Sequence, residues 1–187
     1  MKILVVVDYQ NDFVNGALGF ENADKIDAGI AAKVRAKDYD ALVLTYDTHK
    51  EDYLNTREGI ALPVPHCIYG TEGHNLFGET RTAVAEAQKE KIGLHILKET
   101  FATSPKEMVN LISDIKRYFG EDAKVETVEF TGLVTNMCVL SNVVCFQGAF
   151  PQAQMVVDAS LVDSFNKELH EKTLDVLEGM QVQVINR

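Results

Sequence analysis

Short, unbroken apolar runs alternate along this chain with longer stretches whose apolar positions recur at helical spacing. Ile3-Leu4-Val5-Val6-Val7, Ala41-Leu42-Val43-Leu44 and Leu94-His95-Ile96-Leu97 are of the first kind. Runs this short and continuous read as parallel strands buried on both faces. The pattern predicts strands at 2–8, 41–46, 93–97, 125–132, 153–158 and 181–185. Between them it predicts helices from Asn22-Ala23-Asp24 to about Lys37, then over about 79–91, 104–119, 136–149 and 164–178. Asn22 reads as a cap, and Ser104-Pro105 as a cap and first turn. Strands alternating with helices predict an α/β protein, a parallel sheet between helical layers in a three-layer, Rossmann-like arrangement. Residues 47–77 depart from the pattern, with prolines, glycines and no helical period. A long irregular connection within a compact chain tends to carry function. With no internal repeat or linker, residues 1–187 read as one domain.

Composition narrows the function classes. The chain is 46% hydrophobic and 25% charged, as in ordinary globular proteins. Its formal net charge of −10, with scattered lysines and arginines, argues against nucleic-acid or anionic-membrane partners. No apolar stretch approaches the ~20 residues that span a bilayer, and the N-terminus carries no signal-peptide pattern. Cys67, Cys138 and Cys145 are an odd number in such a chain, which points to free thiols in a reducing cytoplasm.

Four reactive side chains fall just beyond separate apolar runs: Asp8, Asp47, Lys98 and, a few residues past the run ending at Val134, Cys138. In open α/β sheets the ligand crevice lies outside the carboxyl ends of the strands. Each residue alone has a plainer reading. Cys138 fits a small buried hydrophobe, as Cys145 does on the same helical face; Asp8 fits a turn residue, and Lys98 a solvated strand end. Their arrival at the ends of three different strands favours one site with covalent chemistry. Cys138 stands in the first turn of a predicted helix, where unpaired N–H groups favour a thiolate and can hold an oxyanion. Such a thiolate is expected to have a pKa below the ~8.5 of free cysteine. Asp8 would take and return its proton, and Lys98 would orient both. Asp47-Thr48-His49 and Pro65-His66 lie in or beside the irregular segment. Two imidazoles and a carboxylate suit Zn²⁺, Fe²⁺ or Mn²⁺, although two histidines in a surface loop are also the plainer reading. His74 is expected at the surface, His95 alternates within a strand, and His170 lies on an exposed helical pattern.

Asp8-Tyr9-Gln10-Asn11-Asp12-Phe13, Lys98-Glu99-Thr100-Phe101 and Gly132-Leu133-Val134-Thr135-Asn136-Met137-Cys138-Val139 together resemble the three signatures of the isochorismatase-like cysteine hydrolases. The resemblance covers essentially the whole chain and is closest in motifs to the nicotinamidases. It implies a six-stranded parallel sheet flanked by helices and a triad of Asp8, Lys98 and Cys138. It also implies a non-proline cis peptide at Val134–Thr135, aiming N–H groups of Thr135 or Cys138 at the oxyanion. It further implies a divalent metal, zinc first with iron or manganese as alternatives, on Asp47, His49 and His66, with Glu58 near the place of an additional ligand. Assembly into homo-oligomers is common in the family. The implied activity is cysteine-dependent hydrolysis of a small carboxamide, nicotinamide foremost, to the acid and ammonia. An N-carbamoyl or ureido substrate is the alternative within the class; a non-catalytic binding scaffold and redox sensing through Cys138 or Cys67 lie outside it. The chain has no Trp, whereas nicotinamidases often stack the ring on one shortly before the His66 position. Leu62-Pro63-Val64-Pro65 occupies that segment, which leaves Phe13 and Phe101 as pocket aromatics.

Overall fold

A computed structural model describes residues 1–187. Its strands are β1 (Lys2–Val7), β2 (Ala41–Asp47), β3 (Ile92–Lys98), β4 (Thr127–Leu133), β5 (Gln154–Asp163) and β6 (Gln183–Ile185). The helices are α1 (Asn11–Val14), α2 (Asp27–Ala36), α3 (Arg57–Ala61), α4 (Gly78–Ala87), α5 (Pro105–Phe119), α6 (Leu140–Ala149) and α7 (Lys167–Gly179). All six strands pair in parallel, in the order β3-β2-β1-β4-β5-β6.

Alternate residues of β1 serve opposite faces, as the two-residue period of a strand requires. Ile3, Val5 and Val7 join the core with Leu111, Phe146 and Leu174 of α5, α6 and α7. Leu4 and Val6 join the core with Ile30, Val34, Ala83 and Val84 of α2 and α4. β1 is therefore buried on both sides, which is why its sequence is continuously apolar. Ser104 caps α5 as expected, its side chain accepting from the Glu107 N–H.

Asn22 does not act as a cap. It sits at φ 74° and leads into a 3₁₀ turn at Ala23–Ile26, so α2 starts only at Asp27. The Asp27 carboxylate instead caps α4, accepting from the N–H groups of Glu79 (2.8 Å) and Thr80 (2.9 Å). Residues 47–77 contain short helical turns at Tyr53–Asn55, Arg57–Ala61 and Glu72–His74. Each is too short to show a period in the sequence.

The order of the strands fixes where chemistry can occur. From β1 the chain builds outward to β2 and β3, then returns to lay β4, β5 and β6 on the other side. β1 and β4 thus flank the topological switch point, where the loops leaving the strands diverge and open a crevice. Gly132 allows the close approach there: it lies at φ 108°, and a Cβ would stand 2.0 Å from the Val7 carbonyl oxygen.

Candidate active site

Asp8 follows the last residue of β1, and Lys98 ends β3 in register with Asp47, the last residue of β2. Cys138 arrives from the other side of the switch point. Its turn, Thr135–Val139, is one π-type turn in which the Val134 carbonyl accepts from the N–H groups of Met137 (3.1 Å) and Val139 (3.2 Å). The helix predicted over 136–149 therefore divides, and regular α6 starts at Leu140. The cis peptide is at Leu133–Val134, one residue before the expected Val134–Thr135 bond. The reversal falls directly after the last sheet residue, because Thr135 already belongs to the turn.

The structure brings Asp8, Lys98 and Cys138 together, all buried. Lys98 Nζ lies 2.6 Å from Asp8 Oδ2 and donates to Cys138 Sγ at 3.6 Å and to the Thr100 carbonyl at 3.0 Å. The ion pair with Asp8 leaves Oδ2 without an aligned hydrogen bond, while Oδ1 accepts from the Thr45 hydroxyl at 2.6 Å. Burial pushes the Asp8 carboxyl above its ordinary value against the pull of Lys98. Burial also opposes the charge on Lys98, yet Asp8, Cys138 and Asp47 hold its pKa well above the usual lysine range. Burial pushes the Cys138 thiol well up, with Lys98 pulling the other way and Asp8 adding to the rise. The direction is opposite to that of the low-pKa thiolate expected from the helix start, and its largest cause is desolvation.

Asp47, His49, Glu58 and His66 converge, their ligating atoms all within 4.8 Å of one another. Asp47 Oδ2 lies 3.0 Å from His49 Nε2 and 3.1 Å from His66 Nε2, and Glu58 Oε1 lies 3.7 Å from His49 Nε2. His66 Nδ1 faces the Val64 carbonyl at 2.8 Å, which turns Nε2 inward. Burial works against the Asp47 charge, but Lys98, His49 and His66 hold its carboxyl well below the usual range. Burial and the Asp47 charge push Glu58 up. Two imidazole nitrogens and two carboxylate oxygens, three of the four residues buried, are a donor set that could hold a divalent transition metal.

A cavity of about 390 Å³ joins the two groups, with Cys138 on one wall and Asp47, Glu58 and His66 on another. Phe13 and Phe101 both line it; Phe13 packs against His66 at 5.5 Å and Phe101 is 42% exposed. Leu62 lines the wall, from the segment where a stacking Trp was absent. Leu18, Phe20, Met137 and Phe165, to which sequence reasoning gave no role, add to the apolar lining.

Other contributors were also missed. Gln10 is fully buried; its Nε2 donates to the carbonyls of Asp47 (2.9 Å) and His74 (2.8 Å), and its Oε1 accepts from the Asp47 N–H (2.8 Å). Asn142 donates to the carbonyls of Phe101 (3.1 Å) and Cys138 (2.8 Å), tying two walls of the site together. Tyr53 packs against His49 at 4.5 Å and His66 at 5.0 Å. Gln10 lies within the first signature, which was its one visible signal. His74 is buried, not superficial, hydrogen-bonded to the Thr48 hydroxyl (2.9 Å) and stacked on Tyr46. His170 is likewise buried, because α7 packs this side onto the Cys138 turn. His95 is exposed and also stacks on Tyr46, at 5.7 Å. Cys145 is only half-buried, its thiol near the Thr103 carbonyl at 3.8 Å.

A parallel six-stranded sheet with reactive groups gathered at the switch point defines an α/β enzyme of one lineage. The Isochorismatase domain matches residues 2–187, and the chain belongs to that family. It is a hydrolase whose fold is close to that of nicotinamidases, amidohydrolases acting on C–N bonds. The nicotinamidase/pyrazinamidase PncA from Bacillus subtilis superposes with a TM-score of 0.83 at 28% identity, covering 98% of each chain. The pyrazinamidase/nicotinamidase from Streptococcus mutans UA159 gives 0.83 at 25% identity, covering 99% of this chain and 100% of the other. Pyrazinamidase of Pyrococcus horikoshii, solved in complex with zinc, shares the fold with a TM-score of 0.77 at 21% identity, covering 100% and 99%. No curated protein sequence matches the chain. No helix is long and apolar enough to cross a membrane.

Proposed function

We propose that this protein hydrolyses an aromatic carboxamide, nicotinamide foremost, to the carboxylic acid and ammonia by covalent catalysis at Cys138. The observation that carries the reading is the buried contact of Lys98 with both Asp8 and Cys138 at one wall of an apolar cavity. Cys138 Sγ attacks the amide carbon as its proton passes to Asp8, and the carbonyl electron pair moves onto oxygen. N–H groups of the Thr135–Cys138 turn hold that oxyanion. The C–N bond then breaks, and Asp8 delivers its proton to the departing nitrogen, releasing ammonia. A water attacks the thioester while Asp8 takes one of its protons. The C–S bond breaks, the acid departs and Asp8 returns the proton to sulfur. Lys98 stays protonated throughout and offsets the negative charge that moves between its neighbours.

Asp47, His49, His66 and Glu58 would hold a divalent cation, zinc first. When bound, that ion supplies a fixed positive partner for a ring nitrogen, directly or through water, which positions substrate rather than activating the thiol. Phe13, Phe101 and Leu62 enclose the ring. Leu62 offers no aromatic face for stacking, which favours a second reading: a carbamoyl or ureido compound cleaved by the same three residues.

Ammonia release from nicotinamide, pyrazinamide and an N-carbamoyl compound, assayed side by side, separates the two. Cys138→Ala should abolish turnover of whichever is cleaved, while Cys67→Ala and Cys145→Ala keep most activity. Substantial turnover in Cys138→Ala would exclude covalent catalysis at this residue.

A further inference from the structure

The Cys138 turn is held from behind by α7 and by the segment that joins it to β5. The Thr135 hydroxyl and His170 Nδ1 share a hydrogen bond of 2.9 Å, with Thr135 fully buried and His170 nearly so. One residue along, the Ser164 hydroxyl donates to Asn136 Oδ1 at 2.6 Å, and Ser164 is also fully buried. The Thr135–His170 bond lies out of water, where a polar contact is strong and its loss costly, and the Ser164–Asn136 bond is partly buried. Neither His170 nor Ser164 lines the cavity, and neither touches Asp8, Lys98 or the cation cluster. Their partners are consecutive residues of the turn that carries the nucleophile, and no other side-chain hydrogen bond reaches the side chains of Thr135 and Asn136.

The two anchors also share one rigid base. Ser164 Oγ accepts from the Asn166 N–H at 3.2 Å, and the Asn166 side chain caps α7 by accepting from the Leu169 N–H at 3.0 Å. The Asn166 carbonyl accepts from the N–H of His170 itself at 2.9 Å. The segment is thus hydrogen-bonded into the first turn of α7, and the Cys138 turn is bonded to this base at two points. Phe165, between these anchors, is part of the cavity wall.

We propose that His170 and Ser164 are positioning residues for the reaction, fixing the turn so that its N–H groups meet the developing oxyanion. This deepens the function proposed above and rests on it. An oxyanion site works only if its donors are already placed, and displacements of about 1 Å can cost about 100-fold in rate. Loss of either bond releases the turn without removing any group that contacts substrate, so the defect falls on the chemical step.

The test compares His170→Ala, His170→Asn, Thr135→Val and Ser164→Ala with wild type. An asparagine amide can set either its oxygen or its nitrogen where Nδ1 stands, so it serves either imidazole tautomer. His170→Ala and Thr135→Val should each lower kcat about 10- to 100-fold with KM little changed. Their effects should not multiply in the double variant, because both delete one bond, and His170→Asn should recover most of the rate. Alkylation of Cys138 by iodoacetamide, which forms no oxyanion, should not fall in any of them. Amide hydrogen exchange across residues 133–140 should quicken in His170→Ala and Ser164→Ala, and return towards wild type in His170→Asn. The proposal is overturned if kcat is unaffected, if kcat and alkylation fall together, or if asparagine is no better than alanine. If wild type cleaves none of the amides, the proposed function fails instead. The exchange comparison then decides the clamp: unchanged exchange in His170→Ala and Ser164→Ala would sink it.

Discussion

Lys98 Nζ lies 3.3 Å from Asp47 Oδ1 while also contacting Asp8, so one buried ammonium serves both the proposed proton carrier and the proposed cation cluster. Strand register makes this possible: Lys98 and Asp47 are paired at the ends of adjacent strands. Charge at either carboxylate is therefore felt at the other through a shared partner in a medium of low dielectric. In the proposed reaction the amide would lie between the thiol and the cation cluster, without a separate counter-ion for each carboxylate.

The first prediction follows from that sharing. Lys98→Met keeps most of the side-chain volume but leaves Asp8 and Asp47 buried without their common partner. Removing one member of a buried ion pair costs about 3–5 kcal/mol. Urea unfolding should show a loss of that order, and ammonia release should fall below detection. A variant as stable as wild type would mean that the two carboxylates do not depend on Lys98 for their burial.

Thiol reactivity gives the second. Burial pushes the Cys138 thiol above the ordinary cysteine range, so it is expected to lose its proton only on the alkaline side. Iodoacetamide should therefore modify Cys138 more slowly than free cysteine at pH 7, with the rate still climbing above pH ~8.5. The charge of Asp8 contributes to the rise, so Asp8→Asn should speed alkylation at a given pH while abolishing turnover. Mass spectrometry of the Cys138 peptide is needed, because half-buried Cys145 will react as well. An inflection below that of free cysteine would contradict the protonated resting state and restore the thiolate expected from the helix start.

Gly132 supports the third. Its φ of 108° is a region that side chains rarely adopt, and a Cβ would strike the Val7 carbonyl. Strain of this kind costs about 1–3 kcal/mol even before the clash is relieved. Gly132→Ala should lower stability by at least about 2 kcal/mol. It should also lower kcat, since β1 and β4 would separate where Asp8 and Cys138 meet. Thermal melting and steady-state kinetics on the same preparation check both; an unchanged melting temperature would show that the strands can part freely.

What the amino-acid pattern made legible was local. A continuously apolar strand such as β1 announces burial on both faces, and the residue after it announces the crevice. The three signatures brought Asp8, Lys98 and Cys138 to one place, and the Asp-x-His pair with His66 and Glu58 to another. What stayed hidden depends on pairing across the chain. His170 looked exposed because helical spacing cannot report that α7 lies on the Cys138 turn. His74 looked superficial because nothing local shows Gln10 and Thr48 closing over it. The burial of the thiol was hidden for the same reason: its helix start is visible in sequence, but its desolvation is set by distant walls. The cis bond was misplaced by one residue because the end of β4 is fixed by its pairing with β1 and β5.

The fourth prediction concerns the cation cluster and decides the class of substrate. Protein purified without chelator or affinity nickel should carry one divalent ion per chain, read by elemental analysis. Removal by chelator should leave Cys138 alkylation intact, because no cluster residue bonds the thiol, but should raise KM for nicotinamide. His49→Ala should lose the ion and raise KM more than it lowers kcat, since the proposed work of the cluster is to hold the ring. Glu58→Gln should weaken metal affinity less than His49→Ala, because its carboxylate stands farther from the Asp47–His49–His66 group and is less buried. A metal-free protein that still released ammonia from an N-carbamoyl or ureido compound would keep Cys138 as nucleophile and move the substrate away from pyridine carboxamides. A metal-free protein that turned over nicotinamide with an unaltered KM would remove the ring-holding role altogether and leave Phe13 and Phe101 to position the substrate.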